Sequence, residues 1–157
     1  KRGNANDITR SSSFGLVPDY YERADDNLLI VVQIETVKAV ENARAIAEVE
    51  GVDVVFIGPT DLSGSAGLPG QTGAPEVDAL IRRTMAEVRA AGKPLATVPR
   101  IGRTAQELFD EGFSFVASGS EIYFYRLGIQ ALMAEWREYR GEAGADVGAV
   151  GSSSYGR

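Results

Sequence analysis

The chain contains no cysteine and no histidine. Without cysteine there is no disulfide framework, no zinc–thiolate site and no cysteine nucleophile. Without histidine these residues alone build neither a Ser-His-Asp triad nor a histidine-ligated metal site. Basic charge is also short. Sixteen Lys and Arg face 22 Asp and Glu, a formal net charge of −6. No Lys/Arg cluster interrupts that balance, so nucleic acid and anionic membrane are poor partners. No apolar run approaches the ~20 residues of a membrane span. No signal-peptide pattern opens the chain, so a cytoplasmic location is expected. An enzyme made from this alphabet works with carboxylates, hydroxyls, Lys, Arg, Tyr or metal-bound water.

What is present suits one folded domain. The 157 residues are 44% apolar, enough for a single core. Residues 1–27 are polar and turn-rich and read as a loop-rich lead-in, with one short helix around Asp19–Arg23. From Leu28 the pattern changes. Leu28-Leu29-Ile30-Val31-Val32 is a continuous apolar run, which predicts a strand buried on both faces. Val37, Val40, Ala43, Ile46, Ala47 and Val49 recur at helical spacing, and Gly51 ends that helix. Val52–Ile57 reads as a second buried strand. Residues 58–73 hold five glycines and two prolines and read as a loop.

Pro75 fits the first turn of the next helix, with Val77, Leu80, Ile81, Met85 and Val88 on one face. Leu95–Val98 is a third strand. Thr104-Ala105-Gln106-Glu107 matches a capping box for a short helix ending at Gly112. Phe113–Ala117 is a fourth strand, and a last helix carrying Ile122, Tyr125, Leu127, Ile129, Leu132, Met133 and Trp136 runs to Arg140. Residues 141–157 are low-complexity and read as a disordered tail. Strand and helix thus alternate four times across residues 28–140, the pattern of an α/β protein with a parallel sheet. Four βα units are half of a (β/α)8 barrel, which takes ~250 residues. An open four-stranded sheet is the competing architecture.

Two strings carry chemistry: Gln33-Ile34-Glu35-Thr36 and Gly58-Pro59-Thr60-Asp61-Leu62-Ser63. Each closes a run of β-formers and delivers a carboxylate there. The interval between Glu35 and Asp61 has room for one helix and one strand, which puts both at the C-terminal ends of neighbouring parallel strands. Active sites of such folds collect at that edge. Two oxygen ligands on rigid strand ends suit a hard divalent cation such as Mg²⁺. Gln33, two residues before Glu35, points the same way. Spacing alone also allows Glu35 to be an acid that merely begins a helix. Asp61 alone reads as a helix N-cap; taken with Glu35, two equivalent strand ends favour a shared role.

The glycine-rich stretch Gly64–Gly70 matches neither a P-loop nor the dinucleotide fingerprint. Thr60, Ser63 and Ser65 have no base nearby to activate them. Tyr123-Phe124-Tyr125 with Trp136 reads as a packing cluster that could serve a subunit interface.

These strings, with Glu50–Ser63 and Gly67-Leu68-Pro69-Gly70, resemble the HpcH/HpaI aldolase and citrate lyase family, the class II 2-oxo-acid aldolases. The resemblance runs from about Leu28 to Arg140, and Lys1-Arg2-Gly3 resembles the end of the family's Arg-Gly segment. It implies a TIM-type (β/α)8 barrel of the phosphoenolpyruvate/pyruvate type, of which this chain supplies strands five to eight. It implies that Glu35 and Asp61 bind Mg²⁺, Mn²⁺ or Co²⁺, and that Gln33, Thr60 and Asp61 touch the pyruvate part of a 2-oxo acid. The implied reaction is cleavage of a 4-hydroxy-2-oxo acid to pyruvate and an aldehyde, without a Schiff-base lysine. The family's general-base His and transition-state Arg lie in the other half, so no catalytic residue is assigned here. The last helix is implied to cross a subunit boundary in a homo-oligomer. Thr60 stands where Ser or Ala is usual, and Ser120-Glu121 replaces the usual acid after the last strand.

Two other readings remain. Citrate-lyase-like or malyl-CoA-lyase-like enzymes and phosphoenolpyruvate enzymes share the layout, although the last usually show Gly-Thr-Asn-Asp-Leu and a nearby Cys. The other is an inactive, partner-dependent half-barrel, whose open strands would expose pairing edges.

Overall fold

The computed structural model describes residues 5–141, which divide into two units, with the boundary along the chain between Ile30 and Val31. The first holds two 3₁₀ turns, Asn6–Ile8 and Arg10–Ser12, and helix α1, Tyr20–Arg23. Only α1 was legible in the sequence. The 3₁₀ turns are tied together by side chains: the buried Ser12 hydroxyl donates to the carbonyls of Asn6 and Thr9.

The second unit is a four-stranded sheet in the order β1-β2-β3-β4, every neighbour parallel. The strands are β1 Val31–Ile34, β2 Val54–Ile57, β3 Leu95–Thr97 and β4 Phe115–Val116. Between and after them come α2 Val37–Glu41, α3 Ala43–Ala47, α4 Pro59–Ser65, α5 Pro75–Ala90, α6 Ala105–Asp110 and α7 Glu121–Tyr139. Cross-strand register places Val32 beside Val55, Ile34 beside Ile57, Val55 beside Leu95 and Thr97 beside Val116. Because side chains alternate along a strand, these residues form one face. They pack against Val40, Ala43, Ala47, Leu62, Val77, Ile81, Val88 and Leu108 from α2 to α6. Helices α2–α6 thus build a single core on one side of the sheet. Thr97 belongs to this face and is buried, and its hydroxyl donates to the Ile57 carbonyl at 2.9 Å.

Several expectations change. The run Leu28–Val32 is not a strand buried on both faces. Pairing starts at Val31, β1 is bonded on one side only, to β2, and Leu28, Leu29, Ile30 and Val31 are exposed. A continuous apolar run is buried on both faces only where both faces of the sheet are covered, and the helix-packed core here lies on one face. The predicted helix after β1 is two helices split at Asn42, whose side-chain amide donates to the Lys38 carbonyl at 2.7 Å. Asn competes for backbone hydrogen bonds in this way and interrupts helices. Helix α3 then stops at Ala47, before Gly51, which takes φ +87° in the turn to β2. The stretch 58–73 is not all loop, because α4 begins at Pro59, the first-turn position that proline favours.

Aromatic residues on α7 form two separate pairs, Tyr123–Phe124 and Trp136–Tyr139, rather than one cluster. No residue of α7 is buried. The predicted disordered tail and the Lys1-Arg2-Gly3 resemblance lie outside the described residues, Gly141 apart.

The capping box of α6 is as the sequence predicts. The Thr104 hydroxyl accepts from the Glu107 N–H at 3.3 Å, and the Glu107 carboxylate accepts from the Thr104 N–H at 2.7 Å. That backbone hydrogen bond, then the Thr104 hydroxyl, holds the Glu107 carboxyl below its ordinary range. Thr104→Ala should lower unfolding stability by ~1 kcal/mol, read from denaturant midpoints. A depressed carboxyl stabilises above its unfolded pKa and loses that contribution as pH falls through its folded one, so the wild-type advantage over Glu107→Gln should shrink on acidification.

Candidate active site at the C-terminal edge of the sheet

The site grows from the register. Gln33 pairs with Phe56, Ile34 with Ile57, and the Gly58 N–H donates to the Ile34 carbonyl at 3.1 Å. Glu35 and Gly58 are therefore the next positions, side by side, at the C-terminal edge. Gln33 lies on the sheet face opposite the helices, and Glu35 continues that alternation. The two side chains meet: Gln33 Nε2 donates to Glu35 Oε1 at 3.0 Å. Thr36 caps α2 by accepting from the Ala39 N–H at 3.0 Å. Glu35 thus precedes the cap and stands outside the helix, so it is not a first-turn acid.

Gly58 explains how the Glu35 side chain finds room. A Cβ built at position 58 would stand 2.5 Å from Glu35 Oε1 and 2.7 Å from its Cγ. The carboxylate lies directly over the Gly58 backbone. No sequence motif announced this, although the signal was there: a glycine in register with the site carboxylate, one residue past its strand.

Asp61 is the third residue of α4, whose N-cap is Gly58, so the reading of Asp61 as the cap is corrected. The helix is anchored by buried Leu62 and Ser63. The Ser63 hydroxyl donates to the Thr60 carbonyl at 2.6 Å and accepts from the Gly70 N–H at 3.2 Å. Ser65 accepts from the Val37 N–H at 3.0 Å, which ties α4 to α2. These serines hold the scaffold in place, while Thr60 and Asp61 are exposed at its rim.

Glu35 is half-buried, and its carboxyl is raised above the ordinary glutamate value, first by burial and then by the Asp61 charge. The two acids therefore repel one another across the strand ends. A hard divalent cation fits this pair, because its charge offsets the repulsion and its preferred donors are carboxylate oxygens. Among the described residues no group of three His, Cys, Asp or Glu gathers, so water and substrate oxygens would complete the coordination.

Lys93 is bonded away from this edge, its Nζ donating to the Val52 carbonyl at 2.6 Å ahead of β2. Lys38 is exposed on α2.

The raised carboxyl gives a pH prediction. A proton held more tightly by the folded state favours folding at low pH, and that advantage is lost as pH rises through the raised value. A cation held by this pair would need the carboxylate, so any such binding should strengthen over the same window. Asp61→Asn should move the Glu35 titration, followed by carboxyl-carbon NMR, down toward the ordinary glutamate value. An unchanged midpoint would mean that the Asp61 charge does not reach Glu35.

A parallel sheet in consecutive order, with one helix-covered face and carboxylates at its C-terminal edge, defines a half of the TIM-barrel type of α/β protein. Comparison with known proteins narrows this. The family profile of HpcH/HpaI aldolase/citrate lyase matches residues 4–126. The hydroxypyruvate/pyruvate aldolase of Cupriavidus necator is 40% identical over 144 residues, 92% of this chain and 54% of that protein. The 5-keto-4-deoxy-D-glucarate aldolase of Salmonella arizonae is 39% identical over 123 residues, 78% of this chain and 48% of that protein. The crystal structure of an HpcH/HpaI aldolase/citrate lyase family protein from Burkholderia cenocepacia superposes with a TM-score of 0.75 at 26% identity, covering 87% of this chain and 53% of that one. The chain belongs to the HpcH/HpaI aldolase/citrate lyase family, and it spans about half the length of the relatives it matches.

Proposed function

We propose that this chain carries the metal- and pyruvate-binding half of a class II aldolase that cleaves a 4-hydroxy-2-oxo acid to pyruvate and an aldehyde. The observation that carries the reading is the arrangement of Gln33, Glu35, Gly58 and Asp61 at one sheet edge. The aldolase names of the two curated relatives favour it over a citrate-lyase-like or phosphoenolpyruvate reading.

Glu35 and Asp61 hold the cation, Mg²⁺, Mn²⁺ or Co²⁺. When bound, such an ion supplies Lewis acidity toward the carboxylate and keto oxygens of a 2-oxo acid. Gln33 orients the Glu35 carboxylate through its amide and presents its remaining N–H toward substrate. Thr60 and Asp61, exposed on the first turn of α4, contact the pyruvate part. No proton-transfer base is assigned to this chain; that His and the transition-state Arg are expected from the half of the barrel that the chain does not span. Strands β1 to β4 are then the fifth to eighth of the barrel. The exposed apolar side chains of α7, among them Ile122, Phe124, Leu132 and Trp136, suit a homo-oligomer contact. Among the described residues no helix is long and apolar enough to cross a membrane; a cytoplasmic setting belongs to this reading.

The test is pyruvate release from a 4-hydroxy-2-oxo acid by the full-length protein, in Mg²⁺ or Mn²⁺ and then in excess EDTA. Release that EDTA stops is expected. Full activity in EDTA, or cleavage of acyl-CoA thioesters in place of the oxo acid, would overturn the reading.

A further inference from the structure

On the helix-covered side of the sheet, α5 and the segment from Arg100 to Glu111 line a half-open pocket of about 330 Å³. Its charged lining is Asp78, Arg82, Arg89, Arg100, Arg103 and Glu111. Four guanidiniums thus face two carboxylates in a chain whose net charge is −6. Asp78 accepts hydrogen bonds from Arg82 at 2.5 Å and Arg100 at 2.9 Å, while Arg103 is ion-paired with Glu111 at 2.6 Å and with Asp78 at 4.0 Å. Among the described residues, Arg89 donates to the neutral Glu111 carbonyl.

Arg100 is the informative member. Its residue is 3% exposed, Nη2 is bonded to Asp78, and Nη1 is buried with no hydrogen-bond partner among the described residues. A buried cationic donor left unsatisfied is costly, and native structures give such groups a partner, an ion or water. A network serving only to clamp the Arg100–Arg103 turn onto α5 would match its charges. The lining of this one keeps two more positive than negative charges beside a half-open space, with Glu107 also meeting Arg103. Arg forks bind carboxylate and phosphate oxygens in pairs.

We propose that this cavity is a binding site for a compact oxyanion carrying two negative charges, a phosphate or a dicarboxylate. Arg100 and Arg82 supply the main contacts, and Arg89 and Arg103 close the rim. The ligand would clamp α5 to the turn after β3, on the opposite face of the sheet from Gln33 and Glu35, so it would stabilise or regulate rather than react. The inference does not depend on the aldolase reading.

The test is calorimetric titration of the full-length protein with inorganic phosphate and, separately, with succinate. EDTA is present throughout to silence any cation-borne site, and NaCl holds ionic strength constant. Saturable binding of either anion at one site per chain, with a rise in Tm, is expected. A phosphate preference would point to a phosphorylated ligand, a succinate preference to a dicarboxylate; either supports the site. Arg82→Gln, at an exposed position, should weaken binding about tenfold, the worth of one charge-assisted hydrogen bond. Arg100→Lys keeps the charge but loses the fork and should weaken it further. If Arg100→Lys does not fold, Arg82→Gln decides. Non-saturable heats, or equal affinity in wild type and Arg82→Gln, would overturn the proposal.

Discussion

Glu35→Gln in the full-length protein should reduce pyruvate release by more than a hundredfold while leaving the fold intact. The substitution keeps the size and one carbonyl oxygen but removes the charge. Loss of a ligand's supporting partner alone brings about 10–100-fold, so loss of a charged ligand should exceed that. Folding should survive because the Glu35 carboxyl is raised by burial and by Asp61; neutralising it relieves repulsion. Asp61→Asn should act in the same direction by the same route. A stable Glu35→Gln protein with wild-type turnover would remove Glu35 from the reaction.

Gly58→Ala should nearly match that loss without touching any charge. Gly58 has φ −96° and ψ 92°, a conformation alanine adopts freely, so the backbone is not strained. The new Cβ would fall 2.5 Å from Glu35 Oε1 and 2.7 Å from its Cγ. Contacts that short cannot stand, and the flexible Glu35 side chain yields before the sheet does. It would swing off its position and lose the Gln33 hydrogen bond, so cation affinity should fall by about 10–100-fold. Gly64→Ala is the control, since nothing lies within 4 Å of a Cβ there. In α4 it should leave cation affinity unchanged and stabilise the protein by up to ~1 kcal/mol. Equal cation affinity in Gly58→Ala and Gly64→Ala would show that Glu35 does not act from its position over Gly58.

The sequence was most legible where one period dominates. Val77, Ile81, Met85 and Val88 of α5 repeat at helical spacing and are buried. The α6 capping box is local in sequence and therefore readable. The shared face of Gln33 and Glu35 follows from the two-residue period of a strand, and their hydrogen bond agrees. Where tertiary context decides, reading failed. Leu28–Ile30 look like core but are exposed and precede β1, because an apolar run does not say where pairing starts or which faces are covered. Composition hid α4, since three of the residues in Pro59–Ser65 and its cap are Gly or Pro, although Pro59 favours the first turn and Leu62 anchors the helix. Asn42 split a helix that apolar spacing joined. The arginines around Asp78 come from α5 and from the turn after β3, and only the fold brings them together.

Whether Glu35 and Asp61 hold one cation between them can be decided by titrating the full-length protein with Mn²⁺ and following free ion by electron paramagnetic resonance. The wild type should take up one Mn²⁺ per chain at this site, its signal should change on adding pyruvate, and Glu35→Gln and Asp61→Asn should each abolish both effects. Unchanged stoichiometry and affinity in either variant would contradict a shared site.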